Sequence, residues 1–552
     1  MRSATNFALL VALLVAAGLP DARADKKTVC TITVNSPDEK DAFRRSLPQE
    51  DFRFVELIER GRPDWLASAC RKNIRCDVLI VSGHFDDGTE FYSDRLGVRE
   101  SLPTAELERV SCSDSCPGLF SQLKEVYLFG CNTLQAQPLT SPSGEVGRSL
   151  ARSGYSPLEV ERRTRELKER HADSNRDRMR QIFTNVPVIY GFSSKAPLGP
   201  AAASLLNRYF QSSANIELGS GRASPKLLSL FAPASMTVAT GLRSSDPDAT
   251  FRQDACHFAD DRLSSSAKLA FVHALLDRQM VEVRMFLDRI EKYVTSLSDA
   301  DRQTPGVARA LRDIALDQDA RARYLEFAAD ADEPAVRARM IELAAGLGWL
   351  SASEERAQLT RVIGDQLAKN AVGPAEVDLI CRLNQNHDLD QELNRLPKPS
   401  AQTGEVKYAA ILACLGSEPA RARVLRALAS PADEEVEIAQ VYLKNRPIAE
   451  PTELHLVATE IVGMTASAAQ VRALNTLAGY QLSDHDILAA LVRLFSLAKS
   501  INLQRAIAGV LIRSDYLTSA GPELARVLRE HRLKSAGGAD LIDVLIRRME
   551  TS

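Results

Sequence analysis

The sequence predicts a mostly parallel α/β domain, its sheet flanked by helices, followed by an all-α helical-repeat solenoid. Three observations carry that reading. Short β-rich runs alternate with helical segments from residue 27 to about residue 220. Beyond residue 262 strand signals nearly vanish, and apolar residues recur at helical spacing. Between the two lies "SSDPDATFRQDACHFADD" (244–261), which has the composition of a linker. A chain of 552 residues is too long for one core. The expected divisions are 1–24, 25–243, 244–262 and 263–552.

The first 24 residues read as a secretory signal. Arg2 gives a basic start, an apolar stretch runs from Phe7 to Leu19, and Ala22-Arg23-Ala24 is a small-x-small cleavage site. The expectation is an exported protein, periplasmic or extracellular, with no stable membrane anchor, since the apolar run is short for a span. Net charge is −3 with both signs well mixed, so nucleic acid is not an expected partner. Nine cysteines in an exported chain point to disulfides. With Cys131 set aside, Cys30, Cys70, Cys76, Cys112, Cys116 and Cys256 provide for up to three bridges, of a pairing the sequence leaves open. Cys381 and Cys414 fall in helical stretches and are expected to be buried thiols.

The elements follow in order. "TVCTITV" (28–34) is β-rich, and "SPDEKDAFRRSL" (36–47) has Ser36 as a candidate cap with Pro37 in the first turn. "FRFVEL" (52–57) is strand-like and "PDWLASACRK" (63–72) helical. "VLIVSGHFDDGTEF" (78–91) begins as a strand and stops on Gly83 and His84, with Asp86-Asp87-Gly88 read as a hairpin turn. After a helix near 104–110, "VYLFGCNTL" (126–134) runs from strand into Gly130 and Cys131. The charged "EVERRTRELKERHADSNRDRMR" (159–180) is expected to be a solvated helix with i,i+4 ion pairs; a sharper reading makes it an exposed segment open to proteolytic cutting. "VPVIYGFSS" (186–194) and the helical "GPAAASLLNRYF" (199–210) close the alternation. In the second half, Val336, Met340, Leu343 and Leu347 make one apolar stripe, and Leu503, Ile507 and Val510 another. "DEPAVRARMIELAAGLG" (332–348) and "DEEVEIAQVYL" (433–443) resemble HEAT repeats, which implies an extended surface suited to a protein partner.

A histidine and a cysteine that each end a predicted strand suggest nucleophilic chemistry. Parallel strands gather their carboxyl ends at one sheet edge, where ligands collect, and His84, Cys131 and Ser193 all fall at such ends. A thiolate attacks a carbonyl where a thiol does so poorly, and a nearby imidazole both favours the thiolate and protonates the leaving amine. Small residues beside each, Gly83 and Gly130, permit tight turns and close approach of substrate backbone. Backbone N–H groups around them (Gly83, Phe85, Gly130) are candidate oxyanion donors, such donors being worth about 3 kcal/mol each. Asp86 and Asp87 are candidates to grip a basic substrate residue. Cys112, Cys116, Cys131 and His84 also form a conceivable zinc set, although that leaves the paired strand ends unexplained. No metal or other cofactor is expected.

"LIVSGHFDDGTEF", the helix "LPTAELERV" and "VYLFGCNTL" together resemble the caspase-like cysteine peptidases, in particular their bacterial CHAT-domain branch. In that family one strand ends in a Ser/Gly-Gly-His element and a later one in a small residue followed by the nucleophile. Cys131 stands 47 positions after His84, close to the spacing of about 50 in caspases. The resemblance spans roughly residues 30–210. It implies His84 as general base and acid, Cys131 as nucleophile, and the 186–210 strand–loop–helix, with Ser193 and Ser194, as part of the substrate site. The family places glycine after the histidine where this chain has Phe85, whose bulk is expected to narrow the site. The function expected is therefore cysteine endopeptidase action on a protein or peptide substrate; a catalytically silent scaffold of the same fold, or a helical adaptor joined to an unrelated α/β domain, are the alternatives.

Overall fold

The computed structural model describes residues 26–57, 66–85, 88–93, 100–113, 116, 118–137, 143–152, 154–170, 174–212, 217–331, 333–368, 372–393, 395, 405–465, 468–514, 521–534 and 540–551. The signal-like stretch 1–24 and the pair Asp86 and Asp87 lie outside them.

The α/β part contains β1 (Lys27–Thr33), α1 (Asp38–Ser46), β2 (Phe52–Glu56), α2 (Ala67–Arg71), β3 (Val78–Ser82), β4 (Glu90–Tyr92), β5 (Ser101–Pro103), α3 (Thr104–Cys112), β6 (Glu125–Phe129), α4 (Ser143–Arg152), α5 (Pro157–Arg170), α6 (Asn175–Ile182), β7 (Val188–Phe192), α7 (Gly199–Phe210), α8 (Pro225–Phe231) and β8 (Met236–Ala239). Six strands form one sheet in the order β2-β1-β3-β6-β7-β8. Every pairing is parallel except that of β8 with β7. All five residues of β3, β6 and β7 are buried, as expected of central parallel strands covered on both faces.

The period of two along each strand separates two cores. On one face Val78, Ile80, Tyr127, Phe129, Tyr190 and Phe192 pack against Phe43 of α1 and Leu206 and Phe210 of α7. On the other, Leu79, Val81, Val126, Leu128 and Ile189 pack against Leu107 and Val110 of α3 and Met179 and Ile182 of α6. Phe43 makes edge-on contacts with Tyr127 and Phe210, both at 5.1 Å between centroids, and so locks α1 to β6 and α7.

The charged segment divides in two. The α5 half carries exposed pairs such as Arg165–Glu161 at 2.7 Å, as its composition suggested. The α6 half does not behave as a solvated helix: Asn175, Asp177, Met179, Gln181 and Ile182 are buried, and Arg180 bonds to Asp246 at 2.7 Å. Met179 and Ile182 draw this turn into the core, so the region from Ser174 onward is a poor place for a protease to cut.

The expected linker is also different. Residues 249–259 form a helix, α9 (Ala249–Ala259), clamped onto α3. Cys112 is bridged to Cys256, Arg252 donates to the Ser111 carbonyl at 2.9 Å, and Asp261 accepts from both Arg109 and Ser113. Two further bridges, Cys30–Cys76 and Cys70–Cys116, staple the α/β part. Because the Cys112–Cys256 bridge closes 144 residues, removing it as a Cys112→Ser/Cys256→Ser pair is expected to destabilise the folded chain by about 2–5 kcal/mol. Hydrogen exchange should show the loss concentrated in α3 and α9; unchanged protection there would refute the clamp.

From α10 (Ser265–Leu276) and α11 (Met280–Ser296) to the last helix (Leu541–Thr551), every described element is helical. Helices pack on others one to four along the chain, around one continuous core that runs from Leu269 to Met549 and includes both apolar stripes noted above. Cys381 and Cys414 are bridged rather than free thiols, because the helices Pro374–Leu383 and Val406–Cys414 bring their Cα atoms to 5.0 Å. The two parts of the chain also meet away from α9: Val146, Leu150 and Leu167 of α4 and α5 cluster with Val281 of α11. Among the described residues no helix is long and apolar enough to cross a membrane.

Candidate functional site

The register of β3 and β6 builds the site. Ser82 lies opposite Phe129 in this parallel pair, so His84 and Cys131, each two residues farther on, leave the sheet at the same edge. Both side chains are half-buried and line one small cleft, walled by the start of α1 and by residues 196–199 before and at the start of α7. His84 is held by a two-way backbone bridge to Tyr92, both hydrogen bonds at 2.9 Å, and its ring lies 5.4 Å from the Tyr92 ring. This antiparallel bridge sets Tyr92 beside His84; Asp86 and Asp87, the expected hairpin turn, lie outside the described residues.

Cys131 is the cysteine left outside the disulfides. The Ala196 N–H donates to its Sγ at 3.4 Å. Beyond the sulfur the chain turns sharply: Asn132 has φ of 58° and donates its N–H to the Ser194 carbonyl at 2.7 Å. Buried Thr133 accepts from the Phe192 N–H at 3.0 Å, and Asn175 of α6 donates to the Asn132 carbonyl at 3.0 Å. The turn that follows Cys131 is thus fixed by β7 on one side and α6 on the other.

Gly130 is needed for packing. A Cβ there would sit 2.8 Å from the Phe85 Cβ and 3.0 Å from the Gly83 carbonyl oxygen. Phe85 does not narrow the site, contrary to the expectation from its bulk. It is fully buried, with its ring 4.6 Å from that of Phe91, because the strand alternation turns it into the core face opposite the cleft. Gly83 is not an oxyanion donor, since its N–H is taken by the Phe129 carbonyl at 3.1 Å. The His84 N–H is likewise taken, by Tyr92. Ser193 and Ser194 stand at the same sheet edge but outside the cleft lining, and both bond to Ser235, with Ser194 Oγ 2.8 Å from Ser235 Oγ.

Sequence reasoning missed Glu39, which joins His84 and Cys131 in lining the cleft. It sits in the first turn of α1 with only 4% of its surface exposed. Burial, reinforced by neighbouring Asp38, pushes its carboxyl up to about 8. The signal was present: Glu39, Ala42 and Phe43 share the i, i+3, i+4 face that packs inward, so a carboxyl stands on an apolar stripe.

The zinc set does not assemble, because Cys112 and Cys116 are each in a disulfide. Among the described residues His273, Asp277 and Asp317 are close enough together to hold a metal ion, but Asp317 already caps the Gln318–Ala329 helix, Arg323 pairs with Asp277, and none of the three lines the cleft. Comparison of the chain with family models, with curated proteins and with solved structures gave no match in any of the three.

Proposed function

We propose that the chain is an exported cysteine endopeptidase of caspase-like fold, in which His84 and Cys131 hydrolyse peptide bonds and a HEAT-like helical solenoid serves as a binding arm for substrate or a protein partner. The observation that carries this is the shared cleft at the ends of β3 and β6, with a backbone N–H already directed at the Cys131 sulfur. In the proposed reaction the Cys131 thiolate attacks the scissile carbonyl, and the His84 imidazolium gives its proton to the departing amine. The resulting thioester is opened by water, which loses its proton to His84, and the acid leaves with the thiol restored. Export is supported by four disulfides, which persist only in an oxidising compartment. The solenoid reading is supported by helices that pack on others no more than four along the chain around one continuous core.

A silent scaffold of the same fold is favoured by a different observation. The N–H groups of Gly83 and His84 are both engaged within the fold, so two donors near the site are not available to an oxyanion. A fluorogenic peptide library incubated with the wild type and with Cys131→Ala separates the two readings. Hydrolysis that depends on Cys131 supports the peptidase; no hydrolysis by either protein supports the scaffold.

A further inference from the structure

The floor of the cleft is chemically unbalanced. Glu39 Oε2 is buried without a hydrogen-bond partner, and so is Ser82 Oγ. The two groups lie side by side, yet no hydrogen bond of sound geometry joins them. A buried polar atom left unpaired costs about 1–3 kcal/mol, so an orphaned carboxyl oxygen in a cleft marks a position where a ligand completes the structure. Its neighbours along α1 do not compensate it. Asp38 carries the same sign, and Lys40, the next residue along α1, turns away to Glu56 at 3.2 Å. The opposite wall closes tightly on this turn: a Cβ on Gly199 would lie 2.5 Å from Ser36 Oγ and 2.8 Å from Asp38 Oδ2. One carboxyl group, that of Glu39, therefore lines the same cleft as Cys131, while the neighbouring Asp38 carboxylate accepts from Ser36 Oγ at 2.6 Å outside the lining.

We propose, resting on the peptidase reading above, that Glu39 is the specificity-determining residue of this site and that the substrate residue supplying the attacked carbonyl is basic, a lysine or an arginine. A carbonyl placed at Cys131 leaves its own residue's side chain to occupy the rest of the cleft. A cationic end at Glu39 satisfies the orphaned oxygen and supplies the missing counter-charge in one contact. Glu39 then binds as the carboxylate, giving up its proton as the cation arrives. An uncharged or acidic side chain leaves the carboxyl unpaired, and sites built for a polar partner discriminate strongly against ligands that lack it.

The test uses the full chain and five fluorogenic peptides that differ only in the residue before the scissile bond: arginine, lysine, glutamine, leucine or aspartate. The expected result is kcat/KM for arginine or lysine at least about 100-fold above glutamine, with the arginine-to-glutamine ratio falling about 30-fold or more in Glu39→Gln. Preference for aspartate or leucine, or a ratio unmoved by Glu39→Gln, overturns the proposal while leaving the peptidase reading intact. If no peptide is cut, calorimetric binding of the same peptides to Cys131→Ala decides. Arginine-selective binding that is lost when Glu39→Gln is added sustains Glu39 as the specificity determinant without catalysis, and absence of that selectivity removes it.

Discussion

Cys131→Ala is expected to abolish peptide hydrolysis, and His84→Ala to lower kcat/KM by a factor on the order of 10³–10⁴. In the proposed reaction the first change removes the atom that forms the covalent bond. The second removes the group that favours the thiolate and protonates the leaving amine, while the Ala196 N–H still supports the sulfur, so a small residual rate is expected to survive. Because the two side chains act as a unit, the double variant should be scarcely slower than Cys131→Ala alone. Both residues are only half-buried, so each change should shift stability by less than about 1 kcal/mol, and circular dichroism and thermal midpoints provide the control. Hydrolysis that persists in Cys131→Ala, from protein free of contaminating peptidase, would falsify the nucleophile assignment.

Much of the scaffold was legible because its physics is local. Buried parallel strands read as unbroken apolar runs, and "VLIVS", "EVYLF" and "VIYGF" are β3, β6 and β7. The convergence of His84 and Cys131 followed from parallel topology alone, since register then places equivalent strand ends together. What was not legible depends on where neighbouring elements fall. The Gly83 N–H is lost to oxyanion duty only because β6 puts the Phe129 carbonyl beside it. Phe85 has the bulk to block a cleft, but its direction is set by one step of the pleat. Cys381 and Cys414 are 33 residues apart and become partners only through helix packing. The stretch 244–261 has linker composition, yet the Cys112–Cys256 bridge and Arg252 hold its helix against α3. Glu39 was passed over because a charged residue in the first turn of a helix is ordinarily solvated and favourable to the dipole.

Glu39→Gln is expected to stabilise the protein by about 2–4 kcal/mol at pH 7, and the sign follows from linkage. Burial pushes the carboxyl up to about 8 in the folded chain, against its ordinary value of 4.5 in the unfolded one. Below pH 4.5 it is neutral in both states and imposes no penalty. Between 4.5 and 8 the unfolded chain ionises while the folded chain stays protonated, so wild-type stability falls by about 1.4 kcal/mol per pH unit. Above 8 the folded carboxyl ionises as well and the loss levels off near 5 kcal/mol. Glutamine has nearly the same shape and cannot ionise. Urea midpoints of the two proteins should therefore agree near pH 4.5 and separate steadily up to pH 8, the variant being the more stable. Parallel curves across that range would mean that Glu39 ionises normally in the fold and that the cleft floor is better solvated than its burial indicates. An arginine-containing peptide bound to Cys131→Ala should narrow the gap, because the bound cation stabilises the Glu39 carboxylate in the folded state alone. The same carboxyl that weakens the empty protein then strengthens the complex, so its cost in stability and its use in recognition have one physical origin: a carboxyl buried where its counter-charge arrives with the substrate.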